Sequence, residues 1–282
     1  MMTIRLIPSG NFKLDGGAMF GVVPKLLWQK KYPADGNNLC NLSMTPMLVE
    51  EDDRKILIDT GIGKKQDEKF FGYYYLNGSE SLETSLTEYG LGRQDITDVI
   101  LTHLHFDHCG GAVEYNSEEK SFNTTFPNAV YWCSRGQWEW AMNPNPREAA
   151  SFLKENILPL KESGQLRFFE NNFTLSPNIV IRLYNGHTNA LAVPYIKYRN
   201  RTVVFVADLL PTTAHIPLSW VCGYDTRPLI SFNEKEAFLN EAVEYNYILF
   251  FEHDLYTPCC TLQLTDKGIR IKDTGNHPDE LL

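Results

Sequence analysis

The chain has 282 residues, 43% of them hydrophobic and 22% charged, so it can bury a core without disulfide support and does not read as disordered or collagen-like. Its formal net charge of −9 argues against a nucleic-acid-binding surface spread over the molecule. The longest apolar runs, residues 203–207 and 247–251, fall far short of the roughly 20 residues of a membrane span. In chain order, short apolar or alternating stretches bounded by Gly, Asp or Pro predict strands over 3–8, 19–23, 43–50 and 55–59. A helix is expected over 82–89, with Ser81 as its cap and Gly90 as its stop. A buried strand over 98–101 then runs straight into a histidine-rich loop. Farther on, a helix over 147–160 opens at Pro146, strands follow at 180–184, 193–198 and 202–207, and a helix covers 233–245. A strand over 248–251 and a hairpin within 261–271 complete a layered α/β chain, expected to form a single domain over residues 1–282. Six cysteines without a CxxC spacing, and an N-terminal stretch without a signal-peptide core, lead to the expectation of reduced thiols and a cytoplasmic protein.

Most of the chemistry is concentrated in Thr102-His103-Leu104-His105-Phe106-Asp107-His108, where three of the seven histidines and an aspartate occupy six positions. On extended backbone His103 and His105 face the same way. Asp107 and His108 need a turn to point elsewhere, and Gly110-Gly111 just downstream accommodates one. Imidazole nitrogen and carboxylate oxygen suit zinc and its neighbours among the divalent ions. His187, Asp208 and His253 each follow a predicted strand, as a convergent site requires, and Asp59 is placed the same way. Alone, His187 or His253 would read as an ordinary core or surface histidine; their company gives them a functional reading.

With Asp59-Thr60-Gly61, the 102–108 motif, Gly186-His187-Thr188, Asp208 and His253 in this order, the chain resembles the metallo-β-lactamase superfamily. The resemblance implies an α/β, four-layer αβ/βα sandwich with a dinuclear site at its edge. It assigns His103, His105 and His187 to one ion and Asp107, His108 and His253 to the other. Asp208 bridges the two, and Asp59 orients a ligand or its loop. Two divalent ions are implied, zinc foremost, with Mn, Fe and Co compatible. Residues 14–24 and 59–63 look most like the lactonase branch, whose members open N-acyl-homoserine lactones or hydrolyse organophosphate triesters.

The expected reaction is attack of a bridging hydroxide on a lactone or related ester, with Asp107 passing a proton to the leaving group. Phosphotriester or phosphodiester hydrolysis, and thioester hydrolysis of the glyoxalase II kind, are the alternatives for the same site. One lactonase subgroup carries a tyrosine three residues after the bridging aspartate; here that position is Pro211, and His215 is the candidate replacement donor. Phe20, Trp28, Phe71 and Tyr74 are expected to wall the substrate pocket, in company with Phe70, Tyr73, Tyr75, Trp138 and Trp140. The expected partner is a small ester or lactone, with neither nucleic acid nor membrane, and a homodimer is left open.

Overall fold

The structure, a computed structural model, describes residues 2–282. The chain divides into two compact units, each built from two separate stretches: the residues up to Asn11 with Met44–Asn171, and Phe12–Ser43 with Asn172–Leu282.

The first unit is built on a six-stranded sheet of β1 (Thr3–Leu6), β2 (Met47–Glu51), β3 (Arg54–Ile58), β4 (Asp98–Ile100), β5 (Val130–Ser134) and β6 (Leu166–Phe169), in that spatial order. β1, β2 and β3 pair antiparallel, while β3 to β6 are parallel, so the C-terminal ends of four strands share one edge. Parallel neighbours need crossovers, and the helix Leu82–Glu88 lies in the first of them. Ser81 caps it by accepting from Thr84 N, and Gly90 follows its end at φ +72°. Leu48, Leu57, Val99, Tyr131, Ile157 and Leu160 are fully buried in the core, at about 1.5–3 kcal/mol for each Leu or Val side chain removed from water. Leu101, Leu104, Cys109 and Ala112 join the same core, so apolar positions interleaved with the histidines anchor their loop.

The second unit is built on a seven-stranded sheet, again in sequence order: β7 (Phe173–Ser176), β8 (Ile179–Tyr184), β9 (Leu191–Tyr198), β10 (Arg201–Phe205), β11 (Ile248–Phe250), β12 (Cys259–Thr265) and β13 (Gly268–Gly275). All neighbours are antiparallel except β10 and β11, whose crossover carries the helix Pro228–Glu244 with proline in its first turn. Consequently β8, β10 and β11 run the same way and release the chain at one edge.

Several local outcomes differ from expectation: the strand expected over 43–50 begins only at Met47, and the helix expected over 233–245 begins at Pro228, whose fixed φ suits a first helical turn. The strand expected over 19–23 is replaced by a helical turn, Gly16–Phe20, because the Asp15 carboxylate accepts from Ala18 N at 2.9 Å and caps it. The helix expected over 147–160 starts later, at Lys154–Glu162. Asn145 Oδ1 accepts from Arg147 N and Glu148 N at 3.0 and 3.2 Å, which holds a turn where the first helical residues would be. Glu68–Tyr74 and Arg135–Met142 are additional helices, capped by Asp67 and Ser134. All six cysteines are buried thiols, and no helix among the described residues is long and apolar enough to cross a membrane.

Candidate metal centre

In the first unit the edge of the parallel strands carries the histidine loop. Asp59, just past β3, adopts φ +58°, a left-handed conformation that a non-glycine residue holds at a cost. The turn brings its carboxylate under the loop. Oδ1 accepts from Thr102 N at 2.8 Å, and Oδ2 accepts from Thr102 Oγ1 at 2.6 Å. His108 Nδ1 lies 3.0 Å from the same Oδ2, and His103 Nδ1 lies 3.0 Å from Thr102 Oγ1. With its proton committed to Asp59, the Thr102 hydroxyl accepts from the His103 ring, so one carboxylate sets two imidazoles. The His105 carbonyl then accepts from His108 N and Cys109 N, closing the short helix Phe106–Cys109 that turns Asp107 and His108 away from the extended segment.

Gly110 and Gly111 make this packing possible by lacking a side chain: a Cβ on either would lie 2.2 Å from the carbonyl oxygen of Ile62 or Thr60. Thr60 reciprocates, its N and Oγ1 both donating to the His108 carbonyl, at 2.8 and 2.9 Å. His105 Nε2 meets Glu148 Oε1 at 2.9 Å. The other Glu148 oxygen accepts from Trp140 Nε1 at 2.6 Å and Asn145 Nδ2 at 3.2 Å. The centroids of the His103 and His105 rings are 4.4 Å apart, those of His103 and His108 are 3.9 Å apart, and Asp107 Oδ2 is 3.9 Å from His108 Nε2. Beside this loop, Phe70 and Tyr74 pack on Phe106 at 5.4 and 4.5 Å. Burial, reinforced by the Asp107 charge, pushes the Tyr74 phenol up to about 12.

In the second unit His187, Asp208 and His253 follow β8, β10 and β11. Ala207 carries φ +45°, at about 1–2 kcal/mol, and opens the turn that presents Asp208. One Asp208 oxygen lies 3.1 Å from His187 Nε2 and the other 3.5 Å from His253 Nε2, so the carboxylate stands between the two rings. His187 Nδ1 is held by Asp225 Oδ1 at 3.0 Å, and His253 Nδ1 by the Ser43 carbonyl at 2.8 Å. The loop carrying His187 is clasped by Glu234, whose carboxylate accepts from Asn185 N and Gly186 N; burial nonetheless raises its pKa.

Each expected metal ligand thus lies in a buried polar cluster of its own unit, with Asp59 beneath His103 and His108. The expectations for His215, Phe20 and Trp28 are corrected. Phe20 stacks flat against Trp28 on one face (4.8 Å) and His215 on the other (4.7 Å), and all three are about 1% exposed. His215 spends both nitrogens inside its unit, on the Met19 carbonyl at 3.0 Å and Thr212 Oγ1 at 2.9 Å, and burial lowers its pKa to about 4. These rings pack inside their unit, and the one ring proton of neutral His215 is committed to the Met19 carbonyl. Trp138 is likewise core, and Trp140 serves Glu148. Phe71 is half-buried, with its ring 5.7 Å from Phe70. Glu148, Asp225 and the Ser43 carbonyl were not expected from the sequence. No spacing marks them, because each reaches its histidine from a distant part of the chain.

Imidazoles and carboxylates delivered by strand ends, with a hydrogen-bond partner behind every ring, define a metal-dependent hydrolase of α/β type. The family described as the metallo-beta-lactamase superfamily matches residues 45–245, and the chain belongs to it. It is 28% identical over 274 residues to an N-acyl homoserine lactonase of Bacillus cereus, an alignment covering 90% of this chain and 95% of that relative. A probable metal-dependent hydrolase from Staphylococcus aureus superposes with a TM-score of 0.88 at 32% identity, covering 97% and 96% of the two chains. AidC, a dizinc quorum-quenching lactonase in complex with a product, shares the fold at a TM-score of 0.80 and 21% identity, covering 98% and 95%.

Proposed function

We propose that His103, His105, Asp107, His108, His187, Asp208 and His253 together hold two divalent cations, zinc first among them. In this reading the whole chain works as one metallo-β-lactamase-like domain that hydrolyses a lactone or related ester, N-acyl-homoserine lactones included. The observation that carries it is the division of labour in five imidazoles. One nitrogen of each is fixed from behind: His103 through Thr102, His105 by Glu148, His108 by Asp59, His187 by Asp225 and His253 by the Ser43 carbonyl. Ligating histidines are oriented and made more basic in this way, and a nitrogen-and-carboxylate donor set suits Zn, Mn, Fe or Co. The Bacillus cereus relative, named an N-acyl homoserine lactonase, supports the substrate class.

When bound, such a pair of cations supplies hydroxide at neutral pH and a Lewis acid for the carbonyl oxygen. The chain's own residues supply the rest. Asp59, Thr102, Glu148 and Asp225 keep the rings from rotating, so the ligand geometry is set before substrate arrives. Asp107, buried beside Tyr74, would take the proton of the attacking hydroxyl and pass it to the alkoxide oxygen released on ring opening, leaving a carboxylate and an alcohol. Tyr74 and Phe71 offer apolar surface near that loop.

Metal analysis combined with a substrate panel tests the proposal. The expected result is about two ions per chain and turnover of N-hexanoyl-homoserine lactone that a chelator abolishes and zinc restores. Full activity in chelator-stripped protein would overturn the metal reading. A metal-loaded protein inert toward lactones but active on a phosphotriester or thioester would overturn the substrate class.

A further inference from the structure

Next to the histidine loop, and wholly within the first unit, lies a cavity of about 330 Å³. Thr60 and Gly111 form part of its wall, but none of the residues lining it is an expected metal ligand. Its rim includes the exposed Lys64 and Tyr115, so it opens to solvent. Three cations border it, and they are held differently. Lys64 Nζ donates to Glu83 at 2.8 Å, and the Arg93 guanidinium spans Glu83 and Glu114. Lys65 Nζ donates to the Gly110 carbonyl, and among the described residues no carboxylate is hydrogen-bonded to it. An ammonium carries three N–H donors, so one carbonyl leaves two of them to the cavity.

Burial then decides the state of this group. Taking the ammonium largely out of water lowers its pKa to about 8, although Cys109 and Glu155 both act to raise it. At pH 8 about half of the Lys65 side chains are free amine, against about 0.4% for an ordinary lysine. Acylation would convert the group to an uncharged amide whose single N–H still serves the Gly110 carbonyl. The contact with the histidine loop survives while the buried charge is lost.

Lys235, in the second unit, shows that burial alone is not enough. Its pKa is lowered further, to about 7, but its Nζ donates to the Pro217 and Trp220 carbonyls at 2.8 and 2.9 Å. The cavity it borders is only about 10 Å³, room for about one water. No acyl group fits there. Lys65 combines a reactive amine, unspent donors and space. The leaving group identifies the donor. An amine of this low basicity expels a thiolate, whose conjugate acid has a pKa of about 8.5, far more readily than the more basic alkoxide of a lactone.

We propose that Lys65 is an acylation site, modified by short-chain acyl thioesters entering this cavity. The amine attacks the thioester carbonyl, an N–C bond forms and the C–S bond breaks. The thiol departs with the proton that the nitrogen loses, and nothing is oxidised or reduced.

Peptide mapping by mass spectrometry tests it, on the full-length, metal-loaded protein treated with the acetyl thioester of N-acetylcysteamine. Lys65 should be acetylated at least about tenfold faster at pH 8 than its exposed neighbour Lys64. Its rate should level off above about pH 8 while that of Lys64 keeps rising. Lys235 should stay unmodified, and in urea the advantage of Lys65 over Lys64 should vanish. Both lysines meet the same reagent, so any turnover of the thioester elsewhere in the protein does not bias the ratio. Lys65→Arg should abolish the fast phase and leave the slow one. Equal rates at Lys65 and Lys64 in the folded protein would overturn the proposal. So would a Lys65 rate that climbs with pH as Lys64 does, or an advantage that persists in urea, which would assign the reactivity to local sequence rather than to the cavity.

Discussion

In the first unit, four of the chemistry-bearing residues sit within six positions of one loop, and two of them, His103 and His108, share a hydrogen-bonded frame centred on Asp59. In the second, His187, Asp208 and His253 arrive on three strand ends, and each histidine has a partner of its own, Asp225 or the Ser43 carbonyl. The contrast teaches where damage spreads. A shared frame passes a single change to several side chains, whereas separate supports confine it. Sequence distance decides which arrangement forms. His103 and His108, five positions apart, fall within reach of one carboxylate, whereas His187 and His253 each draw on a separate partner.

This difference can be tested by graded substitution. The largest effect is expected from Asp208→Ala, which removes the carboxylate standing between His187 and His253. Steady-state kinetics should show kcat/KM lower by about a thousandfold or more, as expected when an ion of the reaction centre is lost; a loss within tenfold would remove Asp208 from that central role. Next comes the comparison of supports. Asp59→Asn should weaken metal retention by about 100-fold and Asp225→Asn by about tenfold, measured by chelator competition, because the first loosens two rings and the second one. Equal losses would break the distinction between shared and separate frames.

A smaller effect separates His215 from the strand-end histidines. Its folded pKa, about 4, lies below the ordinary value of 6.5, so the unfolded chain binds the extra proton between those pH values. Its contribution is present above pH 6.5 and is lost as pH falls toward 4, a decline of about 3 kcal/mol. The melting-temperature gap between the wild type and His215→Gln should narrow across that window, and a constant gap would contradict the buried, neutral assignment. The smallest effect is expected for Trp140→Phe. Glu148 keeps His105 but loses one donor, at about 1 kcal/mol of thermal stability and a few-fold in metal retention.

How much was legible follows from the same contrast. The 102–108 loop declares itself because its spacing is local, and the parallel strands that deliver it are apolar runs bounded by turn residues. His187, Asp208 and His253 were found only as residues following strands, in an order that resembles a known family. Glu148, Asp225 and the Ser43 carbonyl could not be found this way, since pairing with a ring depends on tertiary placement. Ser134 and Asp67, by contrast, are caps legible in a sequence, since each is a residue type that accepts from the amide three positions on. Phe20 and Trp28 show the opposite error. An aromatic near a glycine-rich stretch suits a pocket wall as well as a core, and only burial distinguishes the two.

The left-handed backbone at Asp59 has a consequence for any attempt at redesign. Because its carboxylate is wired to His108 directly and to His103 through a threonine hydroxyl, the basicity of the two rings moves in concert. Selection for a softer or harder ion at one ring therefore cannot proceed without dragging the other along. A lineage that altered this carboxylate would have to replace the support of both rings in one stroke, so the element should resist drift even where the surrounding loops change freely.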